Sequence, residues 1–127
     1  MKKELYKKIA NALAARENCI DHGNHKWLAI WEKRLEKYGR QLPSGSGIDR
    51  GTRIDIEKSS RNRIVLKSSF HCMDKFGYYT HWIDFRVVVT GSLLHGFDLN
   101  IRGPFGKEQT LKDYLYDVFN FALDEEV

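Results

Sequence analysis

Apolar positions near the start of the chain recur every three or four residues. Leu5, Ile9, Ala12, Leu13, Arg16 and Ile20 fall on one such stripe and predict a helix over residues 3–21. The alanines in this stretch favour helix, and Gly23 is a natural stop. Asn24 is placed to cap a second helix over residues 25–39, whose stripe is Trp27, Leu28, Trp31, Leu35 and Tyr38. Lys33, Arg34 and Lys37 lie towards its C-terminus, where the helix dipole favours cations. The linker is short, so the pair is expected to form an antiparallel hairpin.

The period then changes. Leu42-Pro43-Ser44-Gly45-Ser46-Gly47 ends the helical pattern, and residues 41–51 read as a Gly/Ser-rich loop. Four runs with a period of two follow. Thr52–Glu57 sets Ile54 and Ile56 against Arg53, Asp55 and Glu57, and Lys58–Asn62 is polar and turn-like. Arg63–His71 places Ile64, Leu66 and Phe70 on one side, and residues 72–78 form a loop containing Gly77. Tyr79–Thr90 is the longest run, and Phe97–Arg102 alternates Phe97, Leu99 and Ile101 with Asp98, Asn100 and Arg102. Strands joined by short polar loops predict an antiparallel meander over residues 52–103 with one buried face.

Gly103-Pro104 stops the last strand. Thr110-Leu111-Lys112-Asp113 has the form of a capping box, with Asp where Glu is preferred. Leu111, Tyr114, Leu115, Val118, Phe119 and Ala122 then predict a helix over residues 110–123. Asp124-Glu125-Glu126 reads as an acidic tail. The expected fold is a single α+β domain over residues 1–127, in the order ααββββα, with the helices on one face of the sheet.

Composition fits that picture: 127 residues, 42% hydrophobic, 30% charged and 13% aromatic, too apolar for a disordered chain. No apolar run approaches the roughly 20 residues of a membrane span. No apolar core of a secretory signal follows Met1-Lys2-Lys3-Glu4. Cys19 and Cys72 match no zinc spacing and are expected to be reduced thiols of a cytoplasmic protein. The net charge of +4 is unevenly spread. Residues 1–40 carry ten cations against five acids, residues 41–67 six against three, and residues 110–127 one against five. The front half is therefore suited to an acidic partner.

Alternation also names the outer face of the sheet. If Ile64, Leu66, Ile83, Phe85, Val87, Leu99 and Ile101 point inward, then Asp55, Lys67, His71, Trp82, Asp84, Arg86, Asp98, Asn100 and Arg102 point outward. Trp82, Arg86, Lys67, Asp84, Asp98 and Arg102 are the candidate partner-binding residues, because Trp and Arg are enriched where proteins bind. A second candidate set is Arg50, Arg53, Lys58, Arg61, Arg63 and Lys67, six cations in eighteen positions. They suit nucleic-acid phosphates, with Trp82 or Tyr79 stacking on a base.

Catalytic and metal constellations are weaker. His71, Asp74, His81 and Asp84 offer oxygen and nitrogen ligands, but alternation sends His71 and His81 to opposite faces. Asp49, Asp55, Asp84 and Asp98 could gather around Mg²⁺, yet no short spacing supports this. Cys72 with His71 or His81 is a nucleophile pair on paper only. The Ser44–Thr52 stretch is glycine-rich but lacks the GK[ST] ending of a P-loop. No catalytic residue, metal site or cofactor is assigned.

The chain resembles a group of small uncharacterised proteins of bacteriophages and bacterial mobile elements. The likeness lies in Asn18-Cys19, Gly23-Asn24, Trp27, Leu42-Pro43-Ser44-Gly45-Ser46-Gly47-Ile48-Asp49, Gly51-Thr52 and Ile54-Asp55. It continues in Phe70-His71, Met73-Asp74, Gly77-Tyr78, Trp82, Gly96-Phe97-Asp98-Leu99, Gly103 and Lys112-Asp113-Tyr114. The group has a second histidine where this chain has Cys72. The resemblance implies no activity, only a setting: the cytoplasm of an infected bacterium. The leading expectation is a non-catalytic interaction protein, an inhibitor of a host protein or of a host defence of the anti-CRISPR kind, acting as monomer or homodimer without a membrane. The alternative is a nucleic-acid-binding module using residues 50–67, and the third is a small enzyme or nucleotide binder.

Overall fold

The structure, a computed structural model, describes residues 2–42, 51–92 and 96–123. Helix α1 (Lys2–Asp21) and helix α2 (His25–Arg40) form the hairpin. Strands β1 (Arg53–Ile54), β2 (Arg63–Met73), β3 (Tyr79–Ser92) and β4 (Gly96–Arg102) make one antiparallel sheet in sequence order. Helix α3 (Gln109–Leu123) closes the fold, which is α+β as the pattern predicts. The Ser44–Gly47 stretch, Asp49 and Arg50 lie outside the described residues. No helix among the described residues is long and apolar enough to cross a membrane.

One continuous core holds the parts together. Tyr6, Ile9 and Leu13 of α1 meet Ile64, Leu66, Phe85, Val87 and Ile101 of the sheet and Leu115 and Phe119 of α3. Helices α1 and α3 thus cover the inner face, whereas α2 packs on α1 and reaches β1. At that last contact a Cβ on Gly39 would stand 2.9 Å from the backbone nitrogen of Ile54, so only glycine lets α2 come this close. Asn24 caps α2 as expected, its side-chain oxygen accepting from the Trp27 N–H at 3.3 Å. Arg16 keeps its place on the α1 stripe, 11% exposed, and ties α1 to α2 and to the sheet layer through Glu32 (4.0 Å) and Glu57 (3.3 Å).

Four local expectations need correction. Thr52–Glu57 is not a full strand: β1 is two residues long and Ile56–Lys58 forms one 3-10 turn. The cause is Ser59, whose hydroxyl donates to the Asp55 carbonyl (2.6 Å) and accepts from the Val65 N–H (2.9 Å). A side chain thus takes over the ladder bond that a longer β1 would have supplied. The capping box at Thr110 does not form, because Thr110 is already inside α3 and the Glu108 carbonyl accepts the first helical N–H groups, from Leu111 and Lys112. Ile20 and Trp27 are exposed, because the continuous core takes residues of α1 only as far as Leu13 and of α2 only from Trp31 onward. Finally, β2 runs on to Met73, so the loop between β2 and β3 is shorter than residues 72–78.

The strands are unequal, and this shapes the molecule. β1 pairs only with Leu66 and Lys67, and β4 pairs only with Arg86–Ser92. Among the described residues, 68–73 and 79–85 therefore pair only with each other and form a two-stranded arm of the sheet. The arm ends in a turn organised by Asp74, whose Oδ1 accepts from the N–H groups of Phe76 (2.8 Å) and Tyr78 (3.0 Å). Gly77, with φ of +84°, supplies the left-handed residue that this turn requires.

Candidate functional site

Register converts the outer face from a set of residues into an arrangement. Arg53 lies opposite Lys67, Lys67 opposite Arg86, and Arg86 opposite Arg102. One cation from each of the four strands thus stands in a single row across the outer face. Neighbouring strands lie about 4.8 Å apart, so the row spans about 14 Å. Like charges directly opposite one another repel and cost stability. Lys67 has a counter-ion in Asp55 Oδ2 at 3.8 Å. Among the described residues no ion pair engages Arg53, Arg86 or Arg102.

An aromatic stack occupies the same face further out on the arm. His71 lies opposite Trp82, with ring centroids 4.0 Å apart and planes 13° from parallel. Tyr79 covers the other side of the imidazole at 3.9 Å and 12°. The three rings form one pile with His71 in the middle. A bulge between Cys72 and Met73 makes it possible, because it sets Tyr79 opposite Met73 and so onto the outer face. Strict alternation would put Thr80 there. Row and stack are four residues apart along each strand, about 14 Å. Between them Ser69 donates to Asp84 Oδ1 at 2.6 Å.

The cation row lies in a cleft of about 960 Å³. Arg53, Lys67, Arg86 and Arg102 all line it, together with Ser69, Asp84 and, from α2, Glu32, Glu36 and Arg40. It opens beside the short β1, where the edge of β2 beyond Lys67 has no strand partner among the described residues. Two of the acids that line it, Glu32 and Glu57, are directed at Arg16, and Asp55 is directed at Lys67. Asp55 thus neutralises one member of the row, while Glu32 and Glu57 are drawn away from it to Arg16.

The candidate sets sort as follows. Lys67, Arg86, Arg102, Asp84, Asp98 and Trp82 all lie on the outer face, although Asp98 sits opposite Thr90, well away from Trp82. Trp82 is half-buried in the stack. The basic 50–67 set does not act as one patch. Arg53 and Lys67 join the row, whereas Arg63 donates to the Lys58 carbonyl at 2.9 Å and Arg61 sits in the turn before β2. The outer phase also contains Val65 and Val88, which lie opposite each other and are only 1% and 5% exposed.

The sequence-level metal and nucleophile sets do not assemble. His71 is on the outer face, whereas Asp74 uses its carboxylate to build the turn and Asp84 bonds to Ser69. Asp55, Asp84 and Asp98 lie on separate rungs. Cys72 does lie opposite His81, but burial and the neighbouring Glu108 carboxylate push its thiol above the usual range. That is the reverse of what a thiolate nucleophile needs. Sequence reasoning missed Tyr79 as a member of the stack and the row as a row. It also missed the grouping of Cys72 and His81 with Glu108, which comes from a third element. No protein-family model matches the chain, and comparison with curated proteins and with solved structures finds no match.

Proposed function

We propose that this protein is a binding module, not a catalyst, and that it holds a single-stranded nucleic acid across the outer face of its sheet. The observation that carries this reading is the row Arg53–Lys67–Arg86–Arg102, one cation per strand with three of the four lacking an ion-pair partner among the described residues. Such a row costs folding free energy and contributes nothing to the core, so an external polyanion is its natural complement. The aromatic stack adds a surface for bases: Tyr79 is 66% exposed, and base–aromatic stacking contributes about 1–3 kcal/mol per base. Phosphates on the row and bases towards the arm match the way sequence-tolerant single-strand binders combine charge with stacking.

The test is fluorescence anisotropy with labelled single-stranded oligonucleotides over a range of salt. With three or four phosphates neutralised, log K against log salt has a slope of about −2 to −3. The double variant Arg86→Ala/Arg102→Ala makes that slope shallower by about 1.4. Binding that is absent at low salt, or a slope unchanged in the double variant, overturns the proposal.

A protein partner is the second reading, and a specific observation favours it. Met73, Phe76, Tyr78 and Tyr79 at the tip of the arm are 59–73% exposed, an unusual concentration of large apolar side chains on one turn. A host protein captured from bacterial lysate and retained after nuclease treatment, with capture lost in Phe76→Ser/Tyr78→Ser, supports an inhibitor working through the arm. Capture that disappears with nuclease returns the function to the cation row.

A further inference from the structure

We propose that Cys72, His81 and Glu108 form a binding site for a divalent transition-metal ion of the zinc type, on the inner side of the arm and separate from the outer face. One ligand atom from each residue lies within 4.8 Å of the others. Ligands around a tetrahedral zinc ion, at 2.0–2.3 Å from the metal, stand roughly 3.5 Å from each other. His81 Nε2 and Glu108 Oε1 are already 3.5 Å apart, close to that separation.

The hydrogen bonds around the group point to a cation. Thr80, the residue displaced by the bulge, donates its hydroxyl hydrogen to the Cys72 carbonyl at 3.2 Å. The same oxygen lies 3.0 Å from His81 Nδ1 and, with its hydrogen so used, accepts from Nδ1–H. A neutral His81 then carries its lone pair on Nε2, aimed at a Glu108 carboxylate oxygen. Two lone pairs facing each other repel unless a positive charge, a metal ion or a proton on Nε2, lies between them. The other carboxylate oxygen, Oε2, is buried without a hydrogen-bond partner among the described residues, a costly state for an anionic atom. A histidine fixed through its second nitrogen is also the usual outer-shell support of a metal ligand.

The ligand types select the ion. One thiolate, one imidazole and one carboxylate suit zinc or cobalt(II) better than magnesium or calcium, which prefer oxygen alone. Thiolate and carboxylate together balance the charge of a divalent ion, and binding releases the thiol proton to solvent. Because Cys72 and His81 belong to the arm whereas Glu108 immediately precedes α3, the ion fastens the arm to the helical layer. The three residues leave a fourth position for water.

The test is titration of the tag-free, chelator-stripped full chain with cobalt(II), followed by displacement with zinc. The expected result is one ion per chain, with a sulfur-to-cobalt charge-transfer band and the d–d bands of a tetrahedral site, both abolished by zinc. C72S removes the charge-transfer band, and His81→Ala and Glu108→Gln each remove tetrahedral binding. Thr80→Val, which keeps all three ligands, binds 10- to 100-fold more weakly. Zinc raises the melting temperature of the wild type and leaves that of C72S unchanged. Absence of a charge-transfer band in the wild type overturns the proposal, and so does a band that persists in C72S. Should a variant misfold by circular dichroism, the wild-type spectrum and Thr80→Val still decide the matter.

Discussion

The two faces of the sheet are built from alternate residues of the same strands and follow opposite rules. On the inner face, cross-strand neighbours such as Leu66 and Val87 are apolar and fully buried. One rung position away on the outer face, Lys67 and Arg86 oppose each other with like charge. The inner face beneath the helices is arranged for stability, since pairs such as Leu66 and Val87 remove apolar surface from water. The outer face gives some of that stability back. A fold tolerates such a row when the charges serve something outside the molecule, and this contrast is what motivates the proposed nucleic-acid surface.

The largest expected effect lies on the inner side. Phe119 is fully buried and meets Phe85 edge-on, with centroids 6.1 Å apart. Phe119→Ala should cost about 3–5 kcal/mol, read from the urea midpoint. A loss under about 1 kcal/mol would mean that α3 is not part of the core.

The outer row should behave in the opposite sense. Arg86 lies between Lys67 and Arg102, so Arg86→Thr relieves two repulsions and puts a strand-favouring residue in their place. Stability should rise by about 0.2–1 kcal/mol while oligonucleotide affinity falls. If both quantities fell together, the row would be structural and the contrast between the faces would fail.

Titration sharpens the comparison, because among the described residues the two groups with clearly displaced equilibria, Tyr6 and Cys72, both lie on the inner side. Burial raises the hydroxyl of Tyr6 above its ordinary value, and burial with the Glu108 carboxylate raises the Cys72 thiol above its ordinary range. Each is an acid whose neutral form is favoured in the folded state. The stability they contribute is therefore complete below the unfolded pKa and is lost as pH rises towards the folded one. Denaturant midpoints should fall above about pH 9, and less steeply in Cys72→Ala. The smallest effect is Tyr6→Phe. The Tyr6 hydroxyl is buried with no hydrogen-bond partner among the described residues, so its removal should change stability by no more than about 1 kcal/mol. A loss of several kcal/mol would reveal a partner for that oxygen.

Much of the fold was legible because burial writes a period into the chain. The stripes of α1 and α3 and the alternation of β2, β3 and β4 each follow from which side meets the core, and they also separated His71 from His81. The candidate sites were less legible. Arg53, Lys67, Arg86 and Arg102 were each readable as outward, yet periodicity says nothing about which residue lies opposite which. Thr52–Glu57 alternates well, and a single hydroxyl at Ser59 still diverted it from a strand. The arm's bulge exchanged Tyr79 for Thr80 on the outer face, and no local pattern announces a bulge.

By itself, then, the sequence determined the element order, the class of fold and the face to which most strand residues belong. Those properties depend on each residue's own preference for water or core, repeated at a local period. Only the tertiary structure decided the rungs: the four cations in one row, the three-ring stack, and the meeting of Cys72 and His81 with Glu108. These depend on strand register, on one bulge and on how α3 docks, which are relations between segments far apart in the chain. Their energies come from the fit of whole surfaces, so no window of residues carries them.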